Sequence, residues 1–88
     1  MTTALADCHT HLDQYAASEL GDVVARARQA GVAATIVAGT TVESSARCIA
    51  LADSHEGLFA GVGIHPMDIR KPLTEETYVR LHNLARSS

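Results

Sequence analysis

Three strand-forming stretches alternate with three helical stretches along this chain of 88 residues, and that alternation constrains the fold more than any other feature. The clearest strand is residues 32–38, a continuous apolar and β-branched run typical of a strand covered on both faces. The alternation predicts an α/β fold with a parallel sheet and right-handed crossovers. We predict strands at residues 4–9, 32–38 and 58–64, and helices at 18–30, 40–54 and 74–85.

Polar caps and glycines set the expected helix ends. Ser18 is predicted to cap the first helix and Thr74 the third, and Thr40 with Glu43 has the spacing of a capping box. Gly31 and Gly57 stand where glycine commonly ends a helix.

Residue spacing also predicts which faces are buried. The inward face of the second helix is expected to carry Ala46, Ile49, Ala50 and Asp53, widened by Cys48 and Leu51, and the apolar stripe of the third to carry Tyr78, Leu81 and Ala85. In the third strand, one face carries Leu58, Ala60, Val62 and Ile64, and the other carries Phe59, Gly61, Gly63 and His65. The first of these faces is predicted to lie under helices, because alternate residues of a strand share a face.

Composition limits both the core and the partners. Apolar residues make up 47% of the chain and aromatic residues 3%, so we expect a thin core that depends on alanine. The net charge of −3 and the absence of a lysine and arginine cluster argue against a general electrostatic surface for nucleic acid. Bound metal ions would still allow the chain to meet phosphates.

Cys8 and Cys48 have no CxxC spacing, so neither a disulfide framework nor a zinc finger is predicted. We expect both to stay reduced, Cys8 packed outward against a helix and Cys48 in a helix core. The sequence shows neither a signal peptide nor an apolar run of membrane-spanning length, which predicts a cytoplasmic location and no membrane partner.

His9 and His11 carry the strongest chemical signal. Two residues apart at the end of a strand, they are expected to present their imidazoles side by side, which is half of a divalent-metal site. Asp7 shares their parity. All the candidate residues follow strand ends: His9 and His11 the first, Thr40 and Thr41 the second, His65 the third. Chemistry in parallel α/β folds occurs at these carboxyl ends.

Three segments resemble the motifs of the TatD-type metal-dependent deoxyribonucleases, within the amidohydrolase superfamily. They are residues 7–13 (DCHTHLD), 39–45 (GTTVESS) and 61–66 (GVGIHP), in the family's order and at similar spacing. The resemblance implies an eight-stranded (β/α) TIM barrel, of which residues 1–88 would be three consecutive βα units, an N-terminal third with an incomplete barrel. It implies that a glutamate, two histidines and an aspartate from later strands complete the metal site.

The resemblance also implies roles for individual residues. His9 and His11 would be metal ligands, and His65 would be a catalytic residue contacting the substrate phosphate. Thr40 and Thr41 would contribute substrate contacts, and Asp7 would interact with the histidine ligands without itself binding the metal. The cofactors would be divalent metal ions, Mg, Mn or Zn and often two, and the reaction would be hydrolysis of phosphodiester bonds in DNA. We expect the isolated chain to bind metal weakly and to be inactive.

Two alternatives stay open on the sequence. The first is that the chain begins another amidohydrolase, which acts on amide or ester bonds, although the glycine-flanked His65 argues against it. It would otherwise be a truncated chain without catalysis that acts as a folding or binding partner. Because three strands leave open sheet edges, we expect the isolated chain to self-associate or to be partly disordered.

Overall fold

The computed structural model describes residues 4–68 and 72–87. These residues form strand β1 (Leu5–Thr10), helix α1 (Ala17–Gln29), strand β2 (Val32–Ala38), helix α2 (Val42–Ser54), strand β3 (Leu58–Gly61) and helix α3 (Glu75–Ser87). Short 3₁₀ turns at Leu12–Gln14 and Pro66–Asp68 follow β1 and precede α3. Within the described residues the sheet has the order β1-β2-β3, with β2 parallel to both neighbours. The predicted α/β fold of three consecutive βα units is confirmed.

Strand β1 carries an irregularity beside its histidines. Asp7 pairs with Thr35 and Thr10 with Val37, so β1 advances three residues while β2 advances two. One extra residue in one strand is the signature of a β-bulge, a feature that re-aims side chains and is common beside active sites. The bulge includes His9, so strict alternation does not describe the faces of this part of β1.

The core is small and lies between the sheet and the first two helices. It centres on Val37, Cys48 and Leu58, with Leu12 and Leu20 beside them. The opposite sheet face carries Ile36 and Phe59, which are 41% and 58% exposed. As expected for so few large apolar residues, the core is thin and covers one face of the sheet.

Two predicted helix starts were wrong. Helix α1 begins at Ala17 after the N-cap Ala16, whose carbonyl accepts the N–H groups of Glu19 and Leu20, so Ser18 lies inside the first turn and makes no cap. Helix α2 is capped by Thr41, whose hydroxyl accepts the Ser44 N–H at 3.0 Å, so the capping residue is not Thr40.

The other predicted ends are borne out. Thr74 Oγ1 accepts the Thr77 N–H at 3.2 Å and caps α3. Gly31 and Gly57 adopt φ angles of 99° and 85°, which favour glycine after a helix.

Strand β3 ends at Gly61, three residues before the predicted end at 64. Its predicted faces hold over the paired part, since Leu58 is buried and Ala60 packs against the core while Phe59 is exposed. Beyond Gly61 the backbone of Gly63 bonds both its N–H and its carbonyl to the Ser45 hydroxyl. A side chain of α2 therefore replaces the strand ladder there.

The predicted buried faces of α2 and α3 need correction. Helix α2 buries Val42, Ser44, Ser45, Cys48 and Ile49, whereas Ala46, Ala50 and Asp53 are exposed. The buried face is rotated because the two serines are satisfied by hydrogen bonds at the strand ends. Helix α3 packs against α2. None of its described residues is buried: Tyr78 is 67% exposed, Ala85 is exposed and Leu81 is half-buried.

Of the two cysteines, one lies where it was predicted and the other does not. Cys48 is fully buried in the core, whereas Cys8 is exposed and does not pack against a helix. Among the described residues, no helix is both long and apolar enough to cross a membrane.

Candidate metal centre at the strand ends

Asp7, His9 and His11 line one open cleft between β1 and α1, with a volume of about 400 Å³. Apolar residues of α1, including Val23 and Val24, form the facing wall. His9 is exposed and His11 is half-buried, so both imidazoles are reachable from solvent. The cleft combines an apolar wall with a cluster of polar groups, which is the usual composition of a small-ligand site.

The two imidazoles lie side by side. Their ring centroids are 4.9 Å apart, with the planes at 90°. Two imidazoles bound to one tetrahedral metal at ~2.0–2.1 Å hold their centroids roughly 5 Å apart. The measured centroid separation is of this size. Within residues 4–68 and 72–87, no third histidine, cysteine, aspartate or glutamate joins the pair to make a cluster of three.

A hydrogen bond fixes the form of His11 that can bind a metal. Its Nδ1 lies 3.1 Å from the Ala38 carbonyl oxygen at the end of β2. A carbonyl oxygen only accepts, so Nδ1 carries the proton and donates. The neutral ring then keeps a free lone pair on Nε2. Orientation of a ligand histidine by a backbone carbonyl in this way is typical of metal sites.

Asp7 supports the pair through the backbone. Its Oδ1 accepts the His9 N–H at 3.2 Å. This bond holds the chain at the bulge, so Asp7 contacts His9 at its main chain and not at its imidazole. Thr10 adds a second bond across the sheet, its hydroxyl donating to the Ile36 carbonyl at 2.9 Å.

His65 has the opposite tautomer. Its backbone N–H donates to the Thr40 carbonyl at 2.8 Å, which ties the end of β3 to the end of β2. Its Nδ1 accepts the Met67 N–H at 3.1 Å, so the neutral ring carries its proton on Nε2. The exposed Nε2–H of His65 is suited to donating to an anionic oxygen, while Nε2 of His11 is suited to binding a cation.

Thr40 and Thr41 use most of their polar groups in hydrogen bonds within the fold. The Thr41 hydroxyl is engaged in capping α2. The Thr40 N–H donates to Ser44 Oγ at 3.1 Å, and its carbonyl accepts from His65. The structure thus places both threonines at the strand-end edge with most of their polar groups already bonded.

Two serines that the sequence did not assign to the site, Ser44 and Ser45, connect the segments at the strand ends by hydrogen bonds. Ser44 Oγ accepts the Thr40 N–H and donates to Asp13 Oδ2 at 3.0 Å. Ser45 Oγ accepts the Gly63 N–H at 3.0 Å and donates to the Gly63 carbonyl at 3.2 Å. The sequence positions of these two serines alone give no sign of these partners.

Asp13 lies in the Leu12–Gln14 turn after β1, outside the cleft that the histidine pair lines. Its side chain is 2% exposed, and Oδ1 is buried without a hydrogen-bond partner among the described residues. Arg47 lies 3.9 Å from Oδ2. Burial, together with the negative charge of Asp13, raises the pKa of the Cys48 thiol to about 11. This cysteine therefore stays protonated and is a poor nucleophile.

The described strands and helices form consecutive parallel βα units, as in a barrel fold of this kind, and a histidine pair lies at the end of β1. Comparison with protein families agrees, since residues 6–88 match the family described as TatD related DNase. The chain belongs to this family, as its three motifs predicted.

Curated relatives show the same similarity over part of their length. The chain is 40% identical over 73 residues to the uncharacterized metal-dependent hydrolase YjjV of Escherichia coli, which covers 81% of this chain and 28% of that protein. It is 38% identical over 64 residues to the 3'-5' ssDNA/RNA exonuclease TatD of Cronobacter sakazakii, covering 73% and 24%. A TatD exonuclease of Enterobacter lignolyticus is 37% identical over 65 residues, covering 74% and 25%. The chain thus spans about a quarter of the length of these relatives.

Proposed function

We propose that these residues form the N-terminal βα units of a TatD-type metal-dependent hydrolase that cleaves phosphodiester bonds in DNA. The observation that carries the proposal is the His9 and His11 pair, whose ring centroids are 4.9 Å apart. The bond of His11 to the Ala38 carbonyl uses Nδ1, so Nε2 keeps its lone pair. His9 and His11 would hold a divalent cation, Mg²⁺, Mn²⁺ or Zn²⁺. Such a cation polarises a phosphoryl oxygen and lowers the pKa of bound water.

His65 would bind the substrate. Its Nε2–H is a donor beyond the end of β3, two strands from β1, and it is directed by the bonds of its Nδ1 to Met67 and of its N–H to Thr40. Donation to a non-bridging phosphate oxygen would orient the scissile bond and stabilise charge that grows there. Thr40 and Thr41 shape this edge, and Asp7 holds the backbone of His9 in place.

Further ligands are needed for turnover. Catalytic metal sites usually have three protein ligands. The described residues bring together two candidate ligands, His9 and His11. We propose that the remaining ligands come from residues beyond these βα units, so the 88-residue chain alone is inactive. A second metal ion, nucleic acid as the substrate, and a cytoplasmic location all stay predictions.

A binding role without catalysis is the second candidate, and the uncovered sheet face favours it. In the described part of the chain, β1 and β3 each have one strand neighbour. Leu5, Ile36 and Phe59 are 53%, 41% and 58% exposed. Open edges and exposed apolar side chains invite pairing with another chain. We therefore propose that the isolated chain self-associates, which light scattering would detect as a mass above 9.3 kDa.

A chimera tests the hydrolase proposal. This chain would replace the matching N-terminal segment of the Cronobacter sakazakii exonuclease, and degradation of single-stranded DNA would be followed with Mg²⁺ or Mn²⁺. We expect metal-dependent cleavage that falls by roughly 100-fold or more in His9→Ala and His11→Ala, because removal of a ligand weakens the metal's action.

His82→Ala, on the exposed surface of α3, is the matched control and should leave cleavage unchanged. Melting curves would establish that each chimera is folded. A folded chimera whose cleavage is insensitive to His9→Ala and His11→Ala would contradict the proposal.

A further inference from the structure

Asp13 is a buried carboxylate whose place in the fold the metal site does not explain. It lies in the Leu12–Gln14 turn that follows His11 and is 2% exposed. It borders a separate cavity of about 250 Å³ together with Leu12, Leu20 and Arg47, and it does not line the cleft of the histidine pair. Direct contact with a metal in that cleft is therefore not its role.

A series of direct contacts leads from Asp13 to His65. Asp13 Oδ2 accepts the Ser44 hydroxyl at 3.0 Å, and the same Ser44 oxygen accepts the Thr40 N–H at 3.1 Å. The Thr40 carbonyl then accepts the His65 N–H at 2.8 Å. Ser44 can accept from Thr40 and donate to Asp13 at once because a hydroxyl has one proton and two lone pairs.

The direction of the Ser44 proton depends on Asp13. An ionised carboxylate is an acceptor only, so it requires the Ser44 hydroxyl to donate toward it and leaves the Ser44 lone pairs facing Thr40. Without this acceptor, the hydroxyl is free to rotate and the Thr40 N–H loses a fixed partner. Arg47 lies 3.9 Å from the same Oδ2 atom of Asp13.

Asp13 also links the two halves of the site. It is two residues from His11 along the chain, while its hydrogen bond to Ser44 spans 31 residues. It therefore joins the turn after β1 to the turn after β2. Ser45 makes a separate connection to Gly63, in the segment after β3, whereas the path through Ser44 and Thr40 reaches the His65 N–H directly.

We propose that Asp13 is a positioning residue that acts through Ser44 and Thr40 to hold His65 at the strand-end edge that also carries the His9 and His11 pair. Its importance for catalysis rests on the proposed function, whereas the coupling between Asp13 and His65 does not. The coupling can therefore be measured without metal or nucleic acid, and its failure is distinguishable from failure of the hydrolase proposal.

The test is the nuclear magnetic resonance spectrum of the His65 ring nitrogens in the 88-residue chain, which reports the tautomer. Wild type should show Nε2 protonated and Nδ1 as the acceptor. Asp13→Ala and Ser44→Ala should each shift the population toward the other tautomer, and the double variant should shift it no further than either single one, because all three remove the same path.

Asp13→Asn is the conservative variant, since its amide oxygen can still accept from Ser44, and it should retain the wild-type His65 signals. Ser54→Ala is the matched control at the far end of α2, where the hydroxyl bonds only to the Ala50 carbonyl. If Asp13→Ala unfolds the chain, Ser44→Ala and Asp13→Asn still decide the outcome. Unchanged His65 signals in a folded Ser44→Ala chain, or signals in Asp13→Asn as shifted as those of Ser44→Ala, would overturn the proposal.

Discussion

Gly39 is a position where an added methyl group would meet backbone atoms, and it allows the packing at the strand ends to be tested quantitatively. A Cβ built on Gly39 would lie 2.8 Å from Ser45 Cα and 3.0 Å from the Gly61 carbonyl oxygen, and it would also overlap Ser45 Oγ. Two of these three neighbours are backbone atoms, which cannot move aside as the tip of a flexible side chain can. Gly39→Ala must therefore displace the start of α2 from the sheet.

The expected cost combines overpacking with broken hydrogen bonds. Inserting a methyl group into a well-packed site costs about 1–3 kcal/mol. Displacing Ser45 weakens its two bonds to Gly63, each worth about 0.5–1.5 kcal/mol net. We expect Gly39→Ala to lower the free energy of unfolding by about 2–4 kcal/mol, a large part of the roughly 4–13 kcal/mol available to a domain of this size.

Gly21→Ala is the matched control, because it makes the same chemical change in an open position. No atom lies within 4 Å of a Cβ at Gly21, which is inside α1. Alanine favours a helix over glycine by about 0.5–1 kcal/mol, so this variant should be more stable than wild type. The two substitutions are therefore predicted to have opposite signs.

Urea denaturation followed by circular dichroism would measure both variants. The double variant Gly39→Ala/Ser45→Ala should cost less than the sum of its single changes, because loss of Oγ removes one of the overlaps. A cost below about 0.5 kcal/mol for Gly39→Ala, the usual range of a neutral surface change, would refute the packing described at the strand ends.

Four further predictions concern the core, the cap and the cysteines. Val37→Ala should lower the free energy of unfolding by about 1–3 kcal/mol in urea denaturation, because Val37 is fully buried. Thr41→Ala should cost about 1 kcal/mol in the same assay through loss of the α2 cap, and equal stability would contradict the cap. The folded state keeps the Cys48 thiol protonated from its ordinary pKa of 9.0 up to about 11, so the free energy of unfolding should fall as the pH rises through that window. Cys48→Ala should lose this dependence. In a thiol-labelling assay at pH 8, exposed Cys8 should react while Cys48 is protected, and equal rates would contradict the burial.

Local sequence signals predicted the frame of the fold well. The bounds of β2 agree with the apolar run at residues 32–38, and Gly31 and Gly57 adopt the positive φ angles expected after helices. The histidine pair is side by side as its spacing indicates, although a bulge within β1 contributes to that placement. These features depend on short-range patterns, which a sequence displays directly.

The features that were missed depend on contacts between distant residues. Ser44 meets Asp13 across 31 residues, and Ser45 meets Gly63 across 18. Hydrophobic periodicity cannot identify a buried serine. The inward face of α2 was therefore predicted to include Ala46 and Ala50, which are exposed, in place of Ser44 and Ser45, which are buried. The capping residue of α2 was misplaced by one position because Thr40 and Thr41 are equally suited to capping, and tertiary bonds of the Thr40 backbone decide between them.

Binding of a divalent cation by His9 and His11 is the central claim, and paramagnetic line broadening tests it most directly. Mn²⁺ would be titrated into the 88-residue chain while the imidazole signals of all five histidines are followed. We predict that His9 and His11 broaden together at the lowest Mn²⁺ concentrations, that His82 is unaffected there, and that His9→Ala removes the effect on His11. Broadening that is uniform over the five histidines, or that persists at His11 in His9→Ala, would contradict a shared metal site.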